Sequence, residues 1–366
     1  MSQIQAKPHY EILDGLRGVA ALMVIVYHVF ECFDASPVPH GYLAVDFFFV
    51  LSGFVIGYAY DSRWAQGLTV GGFFKRRLIR LHPMVLVGAV LGAITFLLQG
   101  SVKWDGTPVS VEWVMLALLL AMFMLPAFPG TSVDVRGNNE MFSLNGPSWS
   151  LFFEYIGNIF YALLLRKLPT KILTAITLVT GLVLLKVTVT CGYLGVGWSI
   201  SDNGFWYGLV RMLFPYTMGM LIARTFRPLK ARHTFWWCGL VVILVGITPT
   251  LGGEDATWVK GLYDGLCVLI LFPALVWLGA SEMHAAPSTS GLCKFLGDLS
   301  YPLYAIHYPF MYLFYYRIGF DGNLVPISVL HEVWPWAVAL VVGCPLLAWF
   351  FLRYYDQPVR KWLSRK

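Results

Sequence analysis

The chain has 366 residues, of which 58% are hydrophobic and 13% are charged, and its formal net charge is +6 at pH 7. Soluble domains carry about 25% charged residues, so this composition excludes an ordinary soluble domain and indicates that lipid is the main solvent. The positive charges are divided among loops and both tails, which is typical of membrane orientation rather than of nucleic-acid binding. We therefore expect one polytopic membrane domain over residues 1–366.

Eleven apolar runs follow one another along the chain with short loops between them. One helical crossing of the bilayer needs ~20 apolar residues, so this pattern predicts an all-α membrane protein. The runs cover residues 16–33, 42–60, 78–99, 112–128, 147–165, 172–190, 205–223, 235–250, 261–280, 294–317 and 333–352.

The orientation of these runs follows from the lysines and arginines, which gather in four clusters that should face the cytoplasm. If both termini are cytoplasmic, the basic clusters all face the cytoplasm only when residues 100–146 begin and end on the outer side of the membrane. The run at 112–128 is therefore predicted to be re-entrant or interfacial, with Pro126 and Pro129 helping to break it. This leaves about ten transmembrane helices, unless a boundary elsewhere is misplaced. The basic clusters lie at residues 75–80, 166–171, 224–232 and 353–366.

Arg17 and His28 lie eleven residues apart in the first run. Eleven steps of ~100° end ~20° past three full turns and rise ~16 Å, so the two side chains share one helix face. Arg17 would lie near the cytoplasm and His28 in the outer half of the bilayer. Ionisable groups inside a bilayer are costly and often functional, although a lone histidine can also be a hydrogen-bonded packing residue.

Three further ionisable groups are expected at the depth of His28. Asp46 opens the second run and could fix the His28 tautomer and raise its basicity, or it could cap the helix. Glu154 lies about two turns inside its run among aromatic residues, where a carboxyl has few structural explanations. His307 could act in chemistry or in structural hydrogen bonding. For Arg211, near the outer end of its run, we expect a structural ion pair.

Arg77 and Arg80 open the third run at the cytoplasmic side and share one helix face because they are three residues apart. Two guanidinium groups on one face suit a phosphate group. For the neighbouring Lys75 and Arg76, ordinary cytoplasmic charge is the simpler interpretation. A basic patch below a polar layer fits a long ligand with a phosphorylated head in the cytoplasm and a reactive end deep in the membrane.

Five strings in order along nearly the whole chain resemble the acyltransferase-3 family of bacterial membrane acyltransferases. Two hallmarks of that family are an arginine followed after ten residues by a histidine, met by Arg17 and His28, and Arg-x-x-Arg on the third span, met by Arg77 and Arg80. The strings are LDGLRGVAA at 13–21 with His28, VDFFFVLSGF at 45–54, FFKRRLIRLHP at 73–83, WSL at 149–151 with Glu154, and GDLSYPLY at 297–304 with His307.

The resemblance implies transfer of an acyl group, most often acetyl from acetyl-CoA, to a hydroxyl of a cell-surface or exopolysaccharide sugar, free or lipid-linked. Some members of the family acylate macrolides instead. Intramembrane carboxylates in a ten-span chain also leave a membrane transporter as an alternative. The family implies a bacterial cytoplasmic (inner) membrane location, and the distribution of lysines and arginines predicts that both termini are cytoplasmic. The oligomeric state and the acceptor stay open.

The predicted roles of the site residues follow from the same resemblance. Arg77 and Arg80, with Arg17, would hold the phosphates of acetyl-CoA. His28 would deprotonate the acceptor hydroxyl or carry the acyl group, with Asp46 or Glu154 orienting its imidazole. No metal is expected, since none of the six cysteines forms a CxxC pair. Substrate contact or structural support is expected from His307, Ser148 and Trp149.

Overall fold

A computed structural model describes residues 9–253 and 255–365, and its regular structure over these residues is helical. The predicted all-α membrane class is confirmed, and each of the eleven apolar runs contains a helix. The predicted cytoplasmic ends at residues 1–8 and 366 lie outside the described residues. The helices are α1 Glu11–Phe30, α2 Ala44–Ala65, α3 Val70–Leu98, α4 Val111–Met122, α5 Ser148–Leu163, α6 Thr170–Cys191, α7 Gly204–Thr225, α8 Thr234–Ile247, α9 Thr257–Leu266, α10 Phe272–Ser281, α11 Pro287–Ile306, α12 Tyr308–Arg317, α13 Leu330–Phe351 and α14 Gln357–Ser364.

Seven helical stretches among the described residues are long and apolar enough to cross a membrane. Two of them contain a π-helical turn, at Cys267–Leu271 between α9 and α10 and at Leu352–Asp356 between α13 and α14. The total of about ten crossings therefore stays a prediction, which needs α7, α8 and the α11–α12 pair to span as well. The seven stretches are Glu11–Phe30, Gly41–Ala65, Val70–Leu98, Ser148–Lys167, Thr170–Cys191, Thr257–Ser281 and Ile327–Ser364.

Helix α4 occupies the run that was predicted not to cross. It has 12 residues, which at ~1.5 Å per residue is ~18 Å long, well short of the ~30 Å hydrocarbon core. It ends at Met122, before Pro126, and it packs against α3. Its length agrees with the predicted non-crossing segment, while the choice between a re-entrant and an interfacial position stays a prediction.

Glycines bring two pairs of helices into close contact. A Cβ added at Gly53 of α2 would collide with the carbonyl oxygen of Tyr216 on α7, and one added at Gly18 of α1 would collide with Leu296 on α11. Small residues at such positions let helix backbones approach closely in membranes, where dispersion contacts replace the hydrophobic effect as the main attraction between helices. The α1–α11 and α2–α7 pairs therefore form the rigid frame on which the polar residues described below are mounted.

The helix run at 287–317 is broken at His307, between α11 and α12. Pro309 has no amide hydrogen and lies in the first turn of α12, so it cannot bond the carbonyl oxygen of Ala305 four residues earlier. The side-chain amide of Asn145 donates to that oxygen instead, at 2.8 Å. The break is thus satisfied by a residue of the α4–α5 segment, and it holds His307 at a junction of three elements.

Candidate active site

A cavity of about 510 Å³ lies between α1, α2, α3, α5 and α11. Arg17, Arg77 and Arg80 all line it, so the structure brings together the three arginines that were assigned to one ligand. Glu154 and Arg63 also line it. This volume lies within the range of ~300–1,000 Å³ typical of small-molecule sites.

Arg17 is held against α11 by its own hydrogen bonds. Its Nε donates to Ser300 Oγ and its Nη2 donates to the carbonyl oxygen of Gly297, both at 2.8 Å. Asp14, one turn earlier on α1, pairs with Nη2 at 3.1 Å. The guanidinium is therefore fixed in place, and its side chain still has 27% of its surface exposed to the cavity side.

Arg77 and Arg80 differ in how far the protein satisfies them. Nη2 of Arg77 pairs with Glu154 Oε1 at 2.6 Å, while its buried Nε bonds to none of the described residues. Arg80 forms neither a hydrogen bond nor an ion pair within the described part of the chain, and three like charges (Arg17, Arg77 and Arg360) act on it against one carboxyl, that of Asp356. Clustered cations without enough carboxylates favour an anionic ligand.

Glu154 does not reach His28, so its predicted role in orienting that imidazole is wrong. Its Oε1 accepts from both Arg77 and Ser52 Oγ, the latter at 2.9 Å. These contacts place Glu154 at the level of Arg77 rather than at the level of His28. A depth counted along one helix could not show this, because it ignores helix tilt and the stagger of neighbouring helices.

The carboxylate that meets His28 is Glu31, which the sequence analysis missed. Nδ1 of His28 donates to Glu31 Oε1 at 2.8 Å, and the hydroxyls of Tyr308 and Tyr315 donate to the same oxygen at 3.1 and 2.7 Å. Glu31 caps the C-terminus of α1, three residues after His28. That spacing on a helix is the available signal, but Glu31 lies at the end of an apolar run where charged residues are common.

Asp46 is also corrected, because both of its carboxylate oxygens are taken up by Arg211. Nε and Nη2 of Arg211 donate to Oδ1 and Oδ2 at 3.1 and 2.6 Å, and the two side chains are at most 2% exposed. Asp46 therefore joins α2 to α7 in a buried ion pair and does not contact His28. The ion pair expected for Arg211 is present.

His307 lies directly against His28. Their rings are stacked with centroids 5.3 Å apart and planes 29° apart. Nδ1 of His307 donates to the carbonyl oxygens of Leu303 and Tyr304 at 3.1 and 2.9 Å. Its Nε2 is buried and has no hydrogen-bond partner among residues 9–253 and 255–365. The structure thus brings together two of the predicted residues, and each uses Nδ1 in a fixed bond.

The comparison with known proteins adds the family. The sequence profile described as an acyltransferase domain matches residues 10–353, which is nearly the whole chain. The chain belongs to the acyltransferase-3 family. The resemblance that the five strings carried is therefore confirmed, with an acyltransferase domain spanning the cavity and both histidines.

This acyltransferase-3 chain is similar in sequence to three named bacterial proteins. Protein 2 in the picA locus of Rhizobium radiobacter is 37% identical over 161 residues, covering 41% of this chain and 80% of that protein. Peptidoglycan O-acetyltransferase of Listeria monocytogenes is 25% identical over 95% of this chain, and a putative O-acetyltransferase of Staphylococcus aureus is 26% identical over 95%. The chain spans 55% and 57% of the length of those two proteins. No solved structure matches it.

Ser148 and Trp149 support the acyltransferase-3 core rather than the cavity wall. Neither lines the cavity, and the indole of Trp149 lies under the guanidinium of Arg211 at 5.0 Å. The next residue, Ser150, does line the cavity and forms a hydrogen bond of 2.6 Å with the hydroxyl of Tyr304. Sequence reasoning singled out the string that contains Ser150 but not this side chain, because a helix face cannot be chosen without its neighbours.

The cavity ends before it reaches the histidines. Its lining includes Phe48 and Tyr304, whose rings meet edge to face with centroids 5.6 Å apart, but neither His28 nor His307. Tyr304 in turn lies 5.8 Å from the ring of His307. We call Phe48 and Tyr304 the aromatic partition, since both rings line the cavity and Tyr304 also contacts the ring of His307.

A second carboxyl, that of Glu140, lies near the helix that follows His307. Glu140, in the segment between α4 and α5, accepts a hydrogen bond from the hydroxyl of Tyr312. Burial raises the pKa of Glu140 to about 7, although Tyr312 and the nearby Arg136 act in the opposite direction. The guanidinium of Arg136 lies 3.5 Å from the centre of the Tyr312 ring. The α4–α5 segment therefore packs charged groups over α12, close to the histidines.

Proposed function

We propose that this acyltransferase-3 chain transfers an acyl group, most simply acetyl, from acyl-CoA on the cytoplasmic side to a hydroxyl of a cell-surface glycan. The observation that carries the proposal is the cavity in which Arg17, Arg77 and Arg80 converge, with the paired His28 and Glu31 further along the same helix as Arg17. The setting is the bacterial inner membrane, with both termini in the cytoplasm.

The donor site is supported by the unsatisfied guanidinium groups. Arg80 and the Nε of Arg77 have donors to spare, and charge-assisted hydrogen bonds to phosphate oxygens are among the strongest that a protein forms. Arginine also suits this task because its fork matches phosphate geometry. The CoA phosphates would lie against Arg80 and Arg77, with the pantetheine arm pointing along the cavity toward Tyr304.

The tautomer of His28 supports its assignment as the reactive group. A carboxylate only accepts, so Nδ1 of His28 carries a proton, and in the neutral ring the lone pair is then on Nε2. Glu31 orients the ring and stabilises positive charge on it, which is the task of the carboxylate in a catalytic triad. A histidine in this state can either take the proton of the acceptor hydroxyl or attack the thioester itself.

The thioester must pass the aromatic partition to reach His28. Tyr304 and Phe48 belong to the cavity wall whereas His28 and His307 do not, so we expect a side-chain movement to accompany transfer. Such closure keeps water away from the reactive group until substrate is in place.

The acceptor proposal rests on the relatives. One of them is named a peptidoglycan O-acetyltransferase and another a putative O-acetyltransferase, and a sugar hydroxyl is the acceptor class that these names support. Because the chain covers little more than half of those proteins, the particular glycan has to be found by experiment.

The test is to delete the gene from its bacterium and analyse the surface glycans by mass spectrometry. Loss of one ester-linked acyl group, restored by the wild-type chain and not by His28→Ala expressed at the same level in the membrane, is the expected result. Unchanged glycan acylation in the deletion strain would argue against a glycan acceptor. A purified chain that neither binds acetyl-CoA nor releases CoA from it would contradict the enzymatic proposal and favour a transporter.

A further inference from the structure

The stacked rings of His28 and His307 each have an Nε2 atom that can act as an acceptor. Carbonyl oxygens only accept hydrogen bonds, so Nδ1 of His307 carries a proton and its Nε2 is an unprotonated acceptor. This Nε2 is buried and has no partner in the described structure. Buried polar atoms are nearly always satisfied, so an exception calls for a specific reason such as an absent ligand.

His28 and His307 cannot satisfy each other. Both rings use Nδ1 as a donor elsewhere, so each offers an acceptor at Nε2, and two acceptors form no hydrogen bond. Their stacked rings, with centroids 5.3 Å apart, also lack the in-plane approach that such a bond needs. A molecule that supplies an electrophilic carbon to one nitrogen and a hydroxyl proton to the other would satisfy both.

The partners of the two rings differ in charge, which assigns them different tasks. His28 faces the carboxylate of Glu31, which stabilises the positive charge that develops when Nε2 attacks a carbonyl carbon. His307 faces two neutral carbonyl groups and is fully buried. Burial without a counter-charge keeps this imidazole neutral and makes it a weak base, so it takes the hydroxyl proton in concert with attack on the acyl carbon.

We propose that His28 carries the acyl group on Nε2 and that His307 is the general base that deprotonates the acceptor hydroxyl. The proposal rests on the proposed acyl transfer and decides between the two roles left open for His28. A catalytic base must lie within ~2.6–3.2 Å of the hydroxyl oxygen, and that oxygen must come within ~3–3.5 Å of the acyl carbon. Because the two ring centroids are 5.3 Å apart, one acceptor hydroxyl can lie beside both rings.

The first half-reaction moves the acyl group to the protein. Nε2 of His28 attacks the thioester carbonyl carbon, the carbon–sulfur bond breaks, and CoA leaves as the thiolate. The proton on Nδ1 passes to Glu31, which leaves a neutral acyl-imidazole. This step needs no acceptor.

The second half-reaction transfers the acyl group from His28 to the acceptor hydroxyl. Nε2 of His307 takes the hydroxyl proton as the acceptor oxygen attacks the acyl carbon, and the carbon–nitrogen bond breaks with its electron pair returning to Nε2 of His28. Glu31 gives its proton back to Nδ1. The proton on His307 leaves to solvent and balances the one that the CoA thiolate takes up.

The test separates the two halves by rapid quench with labelled acetyl-CoA and protein in lipid nanodiscs. Without acceptor, the wild-type chain should release one CoA per active site in a fast phase, and the label should lie on the peptide that contains His28. His307→Gln should keep this phase but transfer the label ~100-fold or more slowly to a glycan oligomer on which the wild-type chain turns over. His82→Gln, a histidine change on α3 outside the cavity lining, is the control and should alter neither half.

Two further measurements keep the proposal falsifiable if His307→Gln fails to fold. Added imidazole should restore acceptor transfer in His307→Ala, and transfer from the labelled wild-type chain should be slower in D₂O. Equal rates in the two solvents, no rescue by imidazole, or loss of the fast phase in folded His307→Gln would overturn the assignment of His307. A wild-type chain that acylates the glycan without a fast phase would overturn the carrier role while the proposed function stands. A wild-type chain that releases no CoA at all would instead contradict the proposed function.

Discussion

Glu31, the residue that caps the C-terminus of α1, accepts a hydrogen bond from Nδ1 of His28 on the same helix at 2.8 Å. Two tyrosine hydroxyls, those of Tyr308 and Tyr315, bond the same carboxylate oxygen. The imidazole is therefore held by a carboxylate that α12 fixes in place, so α1 and α12 together set the orientation of the reactive nitrogen.

Glu31→Gln should lower kcat by about 10²–10⁴-fold with little change in acyl-CoA affinity. An amide can donate to Nδ1 and shift the proton to Nε2, which removes the reactive lone pair and the charge that stabilises the imidazolium. Steady-state CoA release measured against direct CoA binding checks this. Glu332→Gln, an exposed acidic position at the start of α13, is the matched control. An equal loss in both variants, or full activity in Glu31→Gln, would refute the role of Glu31.

Arg80→Ala should weaken acyl-CoA binding by about 10–100-fold, since a hydrogen bond to a charged group contributes ~1.5–3 kcal/mol. The arginine makes no hydrogen bond or ion pair with the described protein groups, and the nearby Asp356 keeps its ion pair with Arg360, so stability should change little. Equilibrium binding of CoA to purified protein measures the effect. Arg76→Ala, on the exposed side of the same helix, should bind as the wild type does. If the two variants bind alike, the phosphate site lies elsewhere.

The aromatic partition should control the loss of acyl groups to water. Tyr304→Ala removes the ring that closes the cavity, so hydrolysis of acetyl-CoA without acceptor should rise several-fold relative to transfer. Tyr304→Phe keeps the ring and loses the hydroxyl bonds to Ser150 and to the carbonyl oxygen of Pro147, and it should stay close to the wild-type ratio. Thiol release with and without glycan acceptor gives this ratio. An equal ratio of hydrolysis to transfer in Tyr304→Ala and Tyr304→Phe would mean that the ring does not keep water from the acyl group.

Asp46→Asn should act on stability rather than on chemistry. Removing one partner of a buried ion pair leaves Arg211 uncompensated, at a cost of about 3–5 kcal/mol, and the α2–α7 contact should loosen. Thermal unfolding in detergent should show a clear drop, while the folded fraction keeps its affinity for CoA and turns over within a few-fold of the wild type. A fully stable but inactive Asp46→Asn chain would restore the catalytic role that the sequence predicted.

Glu140 should make stability depend on pH. Its pKa is raised by burial from 4.5 to about 7, so the folded state holds this proton more tightly than the unfolded state does. The corresponding stability is present below about pH 4.5 and is lost as the pH rises to about 7. Between about pH 5 and pH 8, the melting temperature of the wild-type chain should therefore fall by a few degrees relative to Glu140→Gln. If the melting temperatures of the two chains change with pH in the same way, the raised pKa of Glu140 is refuted.

Much of the fold followed from periodicity and length. Apolar runs locate the helices, and the charge alternation singled out residues 112–128, whose helix proves too short to cross a bilayer. The spacing that places Arg77 and Arg80 on one helix face is local and needs no knowledge of packing. These predictions depend on short-range geometry, which the order of residues determines.

The partners of the charged residues did not follow from the sequence. Asp46 and Glu154 were assigned to His28 by depth, but each faces an arginine on another helix, Arg211 and Arg77. The choice depends on how each helix rotates about its axis and tilts against its neighbours, which close contacts such as that of Gly53 with α7 decide. Long-range packing of this kind leaves no signal in the spacing of a single sequence.

The most direct test of the central claim is CoA release from acetyl-CoA by the purified chain in lipid nanodiscs, compared between the wild type and His28→Ala. We predict release by the wild type that a glycan acceptor accelerates, and a loss of at least ~100-fold in His28→Ala with CoA binding retained through Arg17, Arg77 and Arg80. Wild-type rates of release and glycan acylation by a folded His28→Ala chain would contradict it.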